Sequence, residues 1–111
     1  FGTLATIANN VANNFTLLII DNGSYGSTGD QPTYAGMKTS LAAVAKACGT
    51  ENVVECQGED AAEEVKKALE SDQMTIIVCK CESGNVDVPI IETNPIYIRE
   101  RFMEQVRAKN K

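Results

Sequence analysis

The chain has 111 residues, 43% of them hydrophobic and 23% charged, with a formal net charge of −5 and no histidine. That length holds at most one domain with a modest core. The acidic balance leaves no basic stripe for a nucleic acid backbone, and no apolar run approaches the roughly 20 residues that a membrane span needs.

The opening on Phe1, with no basic region leading into an apolar run, predicts a fragment whose amino-terminal part lies outside this sequence. Leu4, Ile7, Ala8 and Val11 recur three and four apart, the tail of an amphipathic helix over residues 1–12 that Asn13-Asn14 closes. Phe15 to Ile20 is the next element, a short apolar run that reads as a buried parallel strand. Residues 21–33 follow as a loop rich in Gly, Ser and Thr. Thr39 or Ser40 can cap a helix running to Cys48, with Gly49 as its left-handed stop. Val53 to Cys56 is a short strand. Glu59 and Asp60 open the next helix, Ala61 to Leu69, placing acids in the first turn and Lys66-Lys67 later, as the helix dipole favours.

Met74 to Cys81 is a nearly continuous apolar strand, as expected for a central strand covered on both faces. A loop from Ser83 to Pro89 leads to Pro95, which suits a first helical turn, and Ile98, Phe102 and Val106 then recur at helical spacing. The basic residues Arg99, Arg101, Arg107, Lys109 and Lys111 alternate with Glu100 and Glu104 there, as on a solvated helix. Strands alternating with helices predict an α/β fold with a doubly wound parallel sheet and flanking helices. Only three strands are visible, few for such a sheet, which again predicts missing amino-terminal structure.

The four cysteines, Cys48, Cys56, Cys79 and Cys81, offer little metal or redox chemistry. Cys79 and Cys81 form C-x-C on one strand face rather than the C-x-x-C of zinc ribbons or thioredoxin-like sites. They read as small hydrophobes in a reducing cytoplasm.

The informative segment is Asp21-Asn22-Gly23-Ser24-Tyr25-Gly26-Ser27-Thr28-Gly29-Asp30-Gln31-Pro32-Thr33. It lies at the carboxyl end of a strand, the edge where open α/β sheets bind ligands. Amide and carbonyl oxygens there suit a divalent cation, and exposed N–H groups suit a phosphate. The alternative is a plain Asn-Gly turn, but an ordered loop of this length is usually functional. Gly26 and Gly29 can serve to permit backbone angles closed to other residues. The segment lacks both G-x-G-x-x-G and G-K-[ST], which disfavours a generic mononucleotide-binding domain.

This wording, with Tyr34-Ala-Gly-Met-Lys-Thr-Ser-Leu-Ala-Ala-Val-Ala-Lys-Ala-Cys-Gly49 after it, resembles the second half of the thiamine-diphosphate motif. It is similar in particular to the sulfopyruvate decarboxylase beta subunits, with the phosphonopyruvate decarboxylases as relatives, over nearly the whole chain. The resemblance implies that residues 1–111 are the carboxyl-terminal part of a thiamine-diphosphate-binding domain, its diphosphate and Mg²⁺ half, and that the family's Gly-Asp-Gly comes shortly before Phe1. Asn22 would then give its side-chain oxygen, and Ser24 its backbone carbonyl, to Mg²⁺. Ser27, Thr28 and Gly29 would donate to phosphate oxygens or border the thiazolium, Gly23 would lie between the ligands, and Tyr25 would brace the loop or pack as a half-buried ring.

Asp21 reads as a turn-forming acceptor. The resemblance further implies decarboxylation of a 2-oxo acid, 3-sulfopyruvate to sulfoacetaldehyde on the route to coenzyme M, or phosphonopyruvate in the related reading. The thiamine diphosphate carries the chemistry, and the activating Glu sits on a separate alpha, pyrimidine-binding subunit. No catalytic residue is assigned to this chain: Glu55, Glu59, Asp60, Glu63 and Glu64 read as surface charges. The expected assembly is a hetero-oligomer with that alpha subunit or a homodimer of the chain. The reading of another class is a non-catalytic α/β domain whose loop docks a partner protein.

Overall fold

Five consecutive residues, Thr75 to Cys79, are buried, and their position explains why the sequence needs no polar alternation there. In the computed structural model, which describes residues 1–84, 88–89 and 91–109, they belong to β5 (Thr75–Lys80), the middle strand of a three-stranded parallel sheet. β1 (Thr16–Asp21) lies on one side and β4 (Asn52–Gln57) on the other. Ile76 and Val78 point to one face, where Leu4 of α1 (Gly2–Asn10), Ala45 of α2 (Leu41–Ala47), Leu17, Ile19 and Val53 pack on them. Ile77 and Cys79 point to the other, against Cys56 and against Ala68 of α3 (Ala61–Glu70). Full burial of Ile76, Ile77 and Val78 contributes about 1.5–3 kcal/mol per side chain. The chain steps from β1 across to β4 and then back to β5. Crossovers of a single hand therefore put α2 and α3 on opposite faces, and the two core clusters lie on opposite faces accordingly.

Local signals set the element ends. Ser40 caps α2, its hydroxyl accepting from Ala43 N at 3.0 Å. Gly49 ends it at φ 104°, and Gly49 N and Thr50 N reach back to the carbonyls of Lys46 and Ala45. A single 3-10 turn, Gly58–Asp60, precedes α3 and carries Glu59 and Asp60. The doubly wound α/β architecture is the one the sequence predicts.

Three features differ from expectation. The polar loop is not wholly irregular: β2 (Ser24–Tyr25) and β3 (Gln31–Pro32) pair antiparallel inside it. The last helix, α4 (Pro95–Lys109), forms where its apolar spacing predicts, but that spacing does not bury it: Ile96, Tyr97 and Phe102 are exposed, and Val106 is half-buried. Leu18 and Ile20 of β1 likewise stay exposed, although they lie opposite Ile77 and Cys79. The predicted loop Ser83 to Pro89 falls partly outside the described residues. All four cysteines are free, Cys56 and Cys79 buried. Cys79 beside Cys81 raises the Cys81 thiol above its ordinary value, which opposes the thiolate that redox or metal chemistry needs. No helix among the described residues is long and apolar enough to cross a membrane.

Candidate functional site

The parallel register brings Asp21, the last residue of β1, beside Lys80, the last of β5. Asp21 is buried, and all its oxygens are used: Oδ2 accepts from Lys80 Nζ at 2.5 Å, Oδ1 from Gly23 N at 3.0 Å, and its carbonyl from Cys81 N at 2.9 Å. The lysine hydrogen bond, helped by Gly23 N–H, holds the Asp21 carboxyl below the usual carboxylate range, with burial opposing. Asp21 is thus the turn-forming acceptor that the sequence predicts, and an ion-pair partner as well.

Asn22 is half-buried, its Oδ1 accepting from Ser24 N at 3.1 Å. Two short side-chain turns in succession, at Asp21 and Asn22, drive Gly23 to φ 67°, a left-handed angle that glycine adopts at little cost. Gly23 O then accepts from Thr33 N at 2.8 Å, and residues 33–39 curl back through turns closed on Thr33 O and Tyr34 O. That return brings Gly36 against Gly23 so closely that a Cβ on Gly36 would lie 2.5 Å from Gly23 O.

Ser24 begins β2. Ser83, in the segment after β5, places its hydroxyl 3.1 Å from Ser24 Oγ and 2.5 Å from Asp30 Oδ1. One hydroxyl proton serves one acceptor, and the shorter contact to the carboxylate takes it. Hydrogen bonds from Ser24 and Ser83 lower the Asp30 carboxyl, a residue that itself sits at φ 61°. The Tyr25 ring is 57% exposed, so it does not pack as a half-buried ring against the described residues.

Ser27, Thr28 and Gly29 form the exposed tip. Thr28 N donates to Tyr25 O at 3.2 Å, and its hydroxyl lies 3.4 Å from Tyr25 O and 3.2 Å from Gln31 Oε1. Its backbone N–H is therefore already taken, while Ser27 and Gly29 keep theirs without a backbone acceptor among the described residues. Gly29 has φ 124°.

Sequence reasoning missed Lys80, Ser83, Asp30 and Gly36. A lysine closing an otherwise apolar central strand was the signal for Lys80. Gly36 had the weaker signal of a lone glycine just before a helix cap.

Donor chemistry decides whether the loop suits a diphosphate and a hard cation. Asn22 Oδ1 retains a second lone pair, and Gly23 and Gly36 keep the backbone around it free of side chains. Mg²⁺ asks for near-octahedral oxygen, usually with one or two carboxylates. Asp21 has both carboxylate oxygens committed, and no group of three or more His, Cys, Asp or Glu suited to a metal occurs among the described residues. The chain therefore fits the neutral-oxygen part of such a site. A groove of about 340 Å³ between Asn13, Gly49, Glu51, Asn52, Gln73 and Met74 lies at the opposite edge of the sheet, by the amino ends of β4 and β5. It has no part in this loop.

A parallel sheet with a long polar loop at its carboxyl edge places this chain among the α/β domains that bind a ligand at that edge, and comparison with known proteins resolves the class. Residues 1–79 match the family described as thiamine pyrophosphate enzyme, C-terminal TPP binding domain, and the chain belongs to that family. Among individual proteins it is similar to the sulfopyruvate decarboxylase subunit beta of Methanocaldococcus jannaschii, 37% identical over 96% of this chain and 56% of that protein. The subunit of the same name from Methanococcus maripaludis is 40% identical over 96% of this chain and 57% of its own length. The phosphonopyruvate decarboxylase of Streptomyces viridochromogenes is 34% identical over 78% of this chain and 22% of that protein. The chain thus spans a little over half the length of the beta subunits it matches. No solved structure matches it.

Proposed function

We propose that this chain is the diphosphate- and Mg²⁺-binding half of a thiamine-diphosphate-dependent decarboxylase that converts 3-sulfopyruvate to sulfoacetaldehyde and CO2. The observation that carries the reading is similarity along 96% of the chain to proteins named sulfopyruvate decarboxylase subunit beta. The Asn22 loop at the carboxyl edge of the sheet supports it physically.

Bound thiamine diphosphate supplies the electron sink for loss of CO2. The protein's part is binding and orientation. Asn22 would give its side-chain oxygen, and Ser24 its carbonyl, to the cation, while Ser27 and Gly29 would offer backbone N–H groups to phosphate. Thr28 would stand beside them at the phosphate or thiazolium, held at the tip by its bonds to Tyr25 and Gln31. Gly23 provides the turn between the two cation ligands, and the exposed Tyr25 ring is free to brace the loop against an arriving domain. Asn22 and Ser24 themselves offer only neutral oxygens, so a carboxylate from elsewhere in the assembly completes the cation site. The relatives' designation as beta subunits supports a hetero-oligomer with a pyrimidine-binding alpha subunit, the assembly that forms the complete active site.

Steady-state decarboxylation by the full-length protein with its partner, on sulfopyruvate, phosphonopyruvate and pyruvate side by side, tests the reading. Preference for sulfopyruvate upholds it, and preference for phosphonopyruvate moves the protein to the related activity. Calorimetry that finds no Mg²⁺-dependent binding of thiamine diphosphate to the assembly overturns the cofactor assignment.

A further inference from the structure

Two tethers run from the carboxyl end of β5 to the residues on either side of Asn22. Lys80 Nζ holds Asp21, the residue before it, and Ser83 Oγ stands 3.1 Å from the hydroxyl of Ser24, two residues after it, both serines hydrogen-bonding the Asp30 carboxylate. From these contacts we infer that Lys80 and Ser83 are positioning residues for the cation cradle, acting through Asp21 and Ser24. The inference rests on the proposed role of Asn22 and Ser24, and it goes beyond that role by saying what sets their geometry.

The ion pair is poorly explained as a source of stability. Taking Asp21 and Lys80 out of water costs about as much as their attraction returns, and apolar residues of similar size usually serve a core as well. What the pair does supply is direction. With Oδ2 fixed by Lys80, the other carboxylate oxygen stays on Gly23 N, and that bond holds the left-handed turn that carries Asn22 and Ser24. The Asp21 main chain is fixed from the same strand, through Cys81 N. The lysine also neutralises a carboxylate one residue from the proposed cation ligand, so that Asp21 does not compete for the ion. Ser83 completes the frame from the far side, through Ser24 and the Asp30 carboxylate. Lys80 closes a strand whose other residues are buried on both faces, and Cys81 and Ser83 follow directly from it.

The test uses the full-length protein assembled with its partner subunit and compares Lys80→Met, Lys80→Arg and Ser83→Ala with the parent. Hydrogen exchange of peptides spanning residues 21–25, measured without cofactor, reports the turn itself. Calorimetric titration of thiamine diphosphate with Mg²⁺ reports the cradle. Lys80→Met is expected to speed exchange in that segment about tenfold and to weaken Mg²⁺-dependent binding by about 10–100-fold, as loss of a group supporting a metal ligand does. Lys80→Arg, which keeps the charge and a donor, is expected to restore both to within about threefold, and Ser83→Ala to fall between.

The inference is overturned if Lys80→Met leaves exchange over residues 21–25 unchanged, or if Lys80→Arg is as impaired as Lys80→Met. Failure of the parent to bind thiamine diphosphate would defeat the proposed function instead, and the exchange comparison would still decide whether Lys80 sets the turn.

Discussion

Replacing Gly36 with alanine isolates the close approach on which the loop depends. Gly36 is not held at a positive φ, so alanine meets no backbone penalty there and the effect is one of space alone. Its Cβ would stand 2.5 Å from Gly23 O, 3.0 Å from Gly23 Cα and 3.1 Å from Gly23 C. All three are backbone atoms, so no flexible side chain can swing aside. Ordinary contact begins near 3.4 Å, so Gly23 and Gly36 must separate by about 0.9 Å. Gly23 O is meanwhile held by Thr33 N at 2.8 Å, and that bond must stretch or break.

Overpacking of this kind costs about 1–3 kcal/mol. A shift near 1 Å at the residue between Asn22 and Ser24 is expected to weaken Mg²⁺-dependent thiamine diphosphate binding by about 100-fold. Calorimetric titration of the assembled full-length protein measures the binding, and thermal unfolding measures the stability. Gly2→Ala, which places a Cβ in open space at the start of α1, serves as control and is expected to change neither by much. Binding by Gly36→Ala within twofold of the parent, at unchanged stability, would refute the reasoning.

Asn22→Ala removes the amide oxygen and with it the bond from Ser24 N, and it should weaken cofactor binding far more with Mg²⁺ than without; equal loss with and without the metal would remove the cation assignment. Ile77→Ala empties a fully buried position on the α3 face and should cost about 2–5 kcal/mol in urea unfolding. The Asp21 carboxyl, ordinarily near 3.8, is lowered in the folded protein. Its contribution to stability is therefore present above about 3.8 and is lost as pH falls through the lowered folded value. Urea midpoints followed from pH 5 downward should drop more steeply in the parent than in Asp21→Asn, and parallel curves would count against the lysine tether.

The sequence by itself determined the element order and the class of fold. Apolar runs at Leu17 to Ile20 and Met74 to Cys81, the Ser40 cap and the Gly49 stop act over a few residues, so the fold needs no distant partner to express them. The wording around Asn22 likewise pointed to a site at one edge of the sheet before any contact was known. Tertiary structure decided what depends on register. Lys80 meets Asp21 only because β5 inserts beside β1, and Ser83 meets Ser24 just past the carboxyl ends of those two strands. Gly36 matters only because residues 33–39 curl back onto Gly23. The apolar side of α4 shows the limit from the other direction: helical spacing foretells a helix, but whether Ile96 and Phe102 find cover is a matter of what packs on them. Contacts between residues 59 apart in the chain leave no local pattern, since loop closure and strand pairing, not nearest-neighbour preference, bring them together.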